Sequence, residues 1–387
     1  MKSPQHLLRA LLTIPLCAVT AGAATFYWNG ADNVTTSLNS AASYSTDPDT
    51  LIAPGAAPTA TDDIVFNRNI LNDQNFEAIA HMGAANRAYN SLTFVSSGTT
   101  QINRGSTDSG SSNNLSIGSH ITVQAGAGAV SFGLPGSGTQ LTQMRASGTT
   151  LSINNNSSSA LTFNRNVGTS LGSGTATITV GGSGSGGIAF EDRILNNGTS
   201  ASTALVVNRA GSGVVSLSSA GTAFTYSGGF TLTQGNVNAN FASALGVGGV
   251  AVNGGTLALF GTGTGAITLG TGANFNLTGG TVNFDLGTAF DQITGTGAFS
   301  LSGGTLALNV GGIGFSYANT YQILSGFTGN TVTNLTINGY DSVNYVASLG
   351  DNGLLSFSAV PEPSSYAALA GFAALGLVAL RRRRVTR

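Results

Sequence analysis

From Gly246 to Leu308 the chain reads GVGGVAVNGGTLALFGTGTGAITLGTGANFNLTGGTVNFDLGTAFDQITGTGAFSLSGGTLAL. A pattern returns within it. Gly-Gly pairs at 254, 279 and 303 open "TLAL", "TVNF" and "TLAL", and an earlier pair at 228 opens "FTLT". The pairs are nearly evenly spaced. The last three are each preceded by a related segment: "GVGGVAVN" from Gly246, "GTGANFNLT" from Gly270 and "GTGAFSLS" from Gly295. A period near 25 with two or three short strands predicts one coil of a parallel β-solenoid per repeat. Glycines fall where such a coil turns its corners. Leu257, Leu259, Val282, Phe284, Leu306 and Leu308 alternate with Ala, Asn and Thr, which predicts that they point inward as stacked columns. An antiparallel β-sandwich also uses short strands and Gly turns, but the near-constant period favours the solenoid.

Composition points the same way. Charged residues make up 7% of the 387 and glycine contributes 56 of them, against roughly 25% charged and roughly 7% glycine in ordinary domains. Such tracts can be disordered, yet 41% of the chain is hydrophobic and much of that alternates. Low charge suits stacked coils, because like charges at equivalent positions would lie about 4.8 Å apart, whereas Thr and Asn can stack in hydrogen-bonded ladders. Between Thr25 and Val360 there are seven arginines and fourteen acids, and no basic residue between Arg209 and Arg381. No nucleic-acid footprint is expected from such a balance. About ten coils are expected between residues 100 and 355, a rod on the order of 50 Å long. Before residue 200 the register is hard to follow, although "SGSGGIAF" at 183–190 is related. Residues 24–100 contain the only tryptophan, Trp28, with prolines 48, 54 and 58, and are expected to form a β cap on the 101–358 body.

Both ends carry addresses. Lys2, His6 and Arg9 lead into an apolar stretch from Ala10 to Val19, followed by Ala21-Gly22-Ala23. This predicts a signal peptide over 1–23, handled by the secretion translocon and cut after Ala23 within the Ala21/Ala23 motif, with a cut after Ala24 as the close alternative. Cys17 is the only cysteine and follows Leu16. It is expected to leave with the leader, so that no thiol chemistry remains.

At the other end, Val360-Pro361-Glu362-Pro363 precedes an uncharged run over 364–380 and then Arg381, Arg382, Arg383 and Arg384. Seventeen helical residues reach roughly 25 Å, the short end of what spans a bilayer core. The expectation is one transmembrane helix, with the arginines on the cytoplasmic side and the body tethered outside the inner membrane. In this order of parts, residues 359–387 resemble the bacterial PEP-CTERM sorting tail. That resemblance implies an exosortase as processing partner and a Gram-negative bacterium as host, and with the leader it gives an expected placement at the cell surface or in the extracellular matrix. The two prolines would keep the motif extended for a protease cleft.

A second resemblance covers Leu205 to Leu259. Gly211, Gly213, Tyr226, Gly228, Gly229, Thr231, Gly235, Ala244, Leu245 and Gly246 fill the places of the autotransporter-associated β-strand repeat. "FYWNGADN" with the later "APTATDDIVF" is similar to the start of such passengers. The resemblance implies a right-handed β-helix, with the PEP tail standing where a translocator barrel would follow.

Catalytic groups are sparse. Glu191-Asp192 are adjacent, Asp62-Asp63 read as a turn before "IVF", and Asp285 and Asp291 are six apart across Gly287. Extended, that last pair lies roughly 20 Å apart, beyond the separation used in glycoside hydrolysis unless the chain bends sharply at Gly287. His81 and His120 are isolated, without metal-ligand spacing. No nucleophile elbow and no P-loop lysine occur. The reading is a non-enzymatic structural or adhesive rod without metal or cofactor, whose Thr/Asn/Ser face could bind glycans or matrix polysaccharide. The alternative is a polysaccharide-degrading β-helix enzyme.

Overall fold

Three-residue strands with one pattern, inward-outward-inward, are the unit of this molecule. Val130–Phe132, Leu161–Phe163 and Ile188–Phe190 each bury their first and third side chains. Period-two alternation gives a strand one apolar face, and that face is hidden only when coils stack. The computed structural model describes residues 23–28, 36–37, 41–50, 52, 54–67, 78–81, 86–103, 114–133, 143–219, 221–261, 263–361 and 363–385.

Two long sheets run along the stack, of fifteen and twelve strands. In the larger, two strands lie off the main path and one is antiparallel, which leaves twelve parallel strands in succession from Thr25–Trp28 to Thr331–Val332. At about 4.8 Å per strand the stack is about 50 Å long. Nine of the twelve lie beyond residue 100, one fewer than the expected ten coils. The missing coil is the segment after Asn338. In it Tyr345–Leu349 and Leu354–Ala359 form a small antiparallel sheet with the earlier strand Tyr321–Gln322, so the solenoid stops short of the expected boundary at 358. Aromatic packing explains the stop: Tyr317 and Tyr345 stack at 4.0 Å, and Phe357 meets Tyr317 edge-on at 5.2 Å.

At the opposite end the ladder already starts at Thr25, which pairs with Asp63 in parallel. The described strands before residue 100 therefore stack in parallel like those of the body, and the covering element is the two-residue antiparallel strand Tyr44–Ser45. Tyr44 meets Trp28 edge-on at 5.3 Å, with both side chains buried.

Columns are in register across coils. In the twelve-stranded sheet Leu161, Ile188, Val215, Val237, Leu257, Val282 and Leu306 are successive partners. Phe132, Phe163 and Phe190 form a parallel ring stack with centroids 5.0 and 5.1 Å apart. Each fully buried Leu, Val or Phe contributes about 1.5–3 kcal/mol, so the columns are the main source of stability. Leu257, Leu259, Val282, Phe284, Leu306 and Leu308 are all buried, as their alternation predicts. Outward, Thr256, Thr281, Thr305 and Thr336 are consecutive partners. Elsewhere side chains bond between coils: Thr175 Oγ1 lies 2.6 Å from Ser202 Oγ, and Thr278 Oγ1 donates to Asn253 Oδ1 at 2.9 Å.

One of the four glycine pairs is out of step with the other three. Gly254, Gly279 and Gly303 lead into strands of the twelve-stranded sheet, but Gly228 leads into Phe230–Gln234 of the larger one. Coil length also varies: Phe230 pairs with Val250 across a short coil, whereas Ile121 pairs with Ile153 across a much longer one. A separate three-stranded set, Ala266–Thr268, Gln292–Thr294 and Leu324–Ser325, joins the later coils.

Candidate functional site

The bend at Gly287 is real, and it folds Asp291 back against the backbone of Asp285. Strand Thr281–Asp285 ends at Asp285, and the chain returns so that the Asp291 amide donates to Asp285 O at 2.9 Å. Asp291 Oδ2 accepts the Asp285 amide at 2.9 Å and Oδ1 accepts the Gly265 amide at 3.1 Å. The separation expected of an extended chain therefore does not apply. Asp291 is 1% exposed. Burial pushes its carboxyl up to about 6, the two amide bonds oppose that, and the Asp285 charge adds to it.

Asp285 is half-buried and lines two shallow grooves, of about 440 and 270 Å³. Its register partner one coil on, Asn309, lines both as well. Thr264, Thr288 and Asn283 supply further polar walls, and Ile313 borders the larger groove with 93% of its surface exposed. The arrangement offers one half-exposed carboxylate and several amide and hydroxyl groups. The second carboxylate has both oxygens engaged by backbone amides.

The remaining candidates stay apart. Glu191 and Asp192 fall just beyond strand Ile188–Phe190, and Asp192 Oδ1 accepts the Arg193 amide at 2.9 Å. Asp62 closes the turn before strand Asp63–Phe66, where Oδ2 accepts from the Thr59 amide at 2.8 Å and hydroxyl at 2.7 Å. His120 Nδ1 is 3.1 Å from Ser119 Oγ, and His81 ends strand Ala78–His81. Among the described residues no group of His, Cys, Asp or Glu is gathered to hold a metal ion.

One polar centre is not evident in the sequence. Arg209 is fully buried, and its Nη2 donates to the carbonyls of Gly184 at 2.8 Å and Gly186 at 2.5 Å. Asn155, also buried, donates to the Ser159, Gly186 and Gly187 carbonyls. Both side chains satisfy the glycine-rich corner at 181–187, where stacked backbone leaves no room for Cβ atoms at Gly182, Gly184 and Gly186. An arginine isolated in an uncharged stretch next to "GSG" was the available signal.

The repeat-like positions also have packing reasons. Tyr226 is fully buried with its hydroxyl donating to Ala244 O at 3.0 Å. At Gly246 φ is +73°, and an added Cβ would lie 2.7 Å from the Tyr226 ring.

At the C-terminus the last strand runs directly into the tail. Tyr345 pairs with Ala359, and the Val360 amide donates to Asn344 O at 2.8 Å. Pro361 is exposed, and Pro363 opens a helix over Pro363–Val385. Pro363 thus starts the helix instead of extending the motif, at the position where its missing N–H costs nothing. Arg381–Arg384 occupy the last turns of that helix. Glu362 and Ala21 lie outside the described residues, and Ala23 is exposed at their N-terminal limit. Leu369, Phe372, Leu375, Leu377, Val378 and Leu380 are 54–73% exposed. The expected transmembrane span over 364–380 is not shown: among the described residues no helix is long and apolar enough to cross a membrane. The apolar part from Ala367 to Leu380 reaches about 21 Å, against about 30 Å of hydrocarbon.

Fold and tail together define a parallel β-solenoid with a short C-terminal sorting segment. The family model described as the PEP-CTERM protein-sorting motif matches residues 359–384. A motif of this kind marks an exported protein that is sorted by an exosortase. No curated protein and no solved structure matches the chain.

Proposed function

We propose that the body is a non-catalytic structural or adhesive rod, delivered to the cell surface or extracellular matrix. A signal peptide over 1–23 starts export through the translocon, and the exosortase removes the tail. The exposed apolar helix supports a transient tether at the inner membrane before that cut. The observation that carries the rod reading is the outward face of the stacked strands. It is small, uncharged and hydrogen-bonding, with Thr256, Thr281, Thr305 and Thr336 in one line. Such a face suits repeated contact with glycan hydroxyls or matrix polysaccharide. The resemblance of Leu205–Leu259 to autotransporter-associated repeats supports a passenger-like role.

A polysaccharide-degrading enzyme is the second reading. Asp285 lines both grooves, and the carboxyl of Asp291, bonded to the Asp285 amide, is pushed up to about 6. Against it, both Asp291 oxygens hold backbone amides. The deciding experiment incubates the exported protein with host matrix polysaccharide and follows retention and product release. Retention without release, unchanged in Asp285→Asn, is expected of the rod. Turnover that disappears in both Asp285→Asn and Asp291→Asn establishes the enzyme and overturns the rod.

A further inference from the structure

Ala24 is exposed, yet both of its backbone groups are engaged. Its nitrogen donates to Asp62 Oδ1 at 3.1 Å, and its carbonyl accepts the Asp63 amide at 2.9 Å. Asp62 is 8% exposed and its other oxygen is held by Thr59. Among the described residues its hydrogen bonds come from Thr59 and Ala24 alone. The neighbouring Asp63 carboxylate is turned away, accepting from Asn90 at 2.7 Å and Ser91 at 2.5 Å. A buried carboxylate is thus aimed at the nitrogen of one residue that follows a small-residue cleavage motif.

We propose that the leader is cut between Ala23 and Ala24, and that the α-ammonium created there docks on Asp62 as an ion pair that fixes the first strand. This rests on the export reading above and deepens it. The leader peptidase hydrolyses the Ala23–Ala24 amide. One water supplies a hydroxyl to the Ala23 carbonyl carbon and a hydrogen to the Ala24 nitrogen, and the new amine takes up a proton. A neutral amide donor in the precursor becomes a charged donor in the product, and charge-assisted bonds are roughly twice as strong. Geometry also selects the bond that is cut. Cleavage one residue later would remove Ala24, leaving Asp62 Oδ1 and the Asp63 amide without these partners.

The chain's own composition supplies the test. Lys2 is the only lysine and falls within the leader, so the α-amine is the sole primary amine of the processed chain. The protein, expressed with its leader in a Gram-negative host, is recovered and its N-terminal peptide is weighed. The amine is then acylated with an acetyl succinimidyl ester at pH 8 and followed by intact mass. An N-terminus at Ala24 is expected. Acylation of native protein should run about 4- to 5-fold slower at this pH than in Asp62→Asn, as for an amine raised by one pKa unit from about 7.8. Urea-unfolded wild type provides the same reference if Asp62→Asn does not fold. Equal rates in folded and unfolded protein overturn the docking. An N-terminus at Thr25 overturns the inference while leaving export standing, whereas a chain that retains Met1 overturns the export reading itself.

Discussion

Asp291→Asn separates a structural carboxylate from a catalytic one. In the folded chain Asp291 holds its proton up to about pH 6, against 3.8 for the ordinary group. The native state therefore binds more protons than the unfolded state between these values. Stability is greatest below about pH 4 and falls as pH rises towards 6. At about 1.4 kcal/mol per pKa unit the loss is at most about 3 kcal/mol. Asp62 and Asp341 do not confuse this window. Burial works against the Asp62 charge, but bonds from Thr59 and Ala24 outweigh it and hold the group low, and bonds from Asn344 lower Asp341. Their contributions are lost only as pH drops below 3.8. Urea unfolding by circular dichroism at pH 4, 5, 6 and 7, with exchange of the Gly265 and Asp285 amides, measures the effect. Wild type should lose about 2–3 kcal/mol between pH 4 and 7. Asp291→Asn should be flat across that range. At pH 4 it should be weaker by about 1–3 kcal/mol, because one carbonyl oxygen cannot accept from both amides. A flat wild-type profile, or a variant that keeps the slope, refutes the reasoning.

Phe163→Ala opens a gap in the ring stack between Phe132 and Phe190. It should cost about 3–5 kcal/mol in urea unfolding, with faster amide exchange in the adjoining coils and little change at 299–309, because each coil touches only its neighbours. Arg209→Ala leaves the Gly184 and Gly186 carbonyls without their charged donor. A loss of about 2–4 kcal/mol is expected, with exchange rising first in residues 181–187. Replacing both Pro361 and Pro363 by alanine should leave export intact and slow tail removal, seen as accumulation of full-length precursor on immunoblots.

The coil principle was legible because three glycine pairs and their inward columns repeat with little drift. Gly228 misled, since the same dipeptide turns a corner on the other sheet and the true coil there is the short one from Phe230 to Val250. Early register was obscured for the opposite reason: a coil such as Ile121 to Ile153 is far longer than the later repeat, and no fixed period survives such insertions. The antiparallel ending was announced only by aromatics, Tyr345 and Phe357 among them, which periodicity ignores. The two aspartates looked remote because strand spacing was applied across a glycine that reverses the chain. Ala24 could not be matched to Asp62, because a contact across 38 residues exists only once the first coil has closed. The sorting tail was readable as an order of parts, and the family model matches it over residues 359–384.

The central claim is an exported rod whose tail is a processed address. Its most direct test is the mass of the C-terminal peptide of the mature protein, isolated from its own host. The account predicts a chain that ends between Val360 and Ser365, immediately after the strand that closes the body. A chain intact to Arg387 would contradict it.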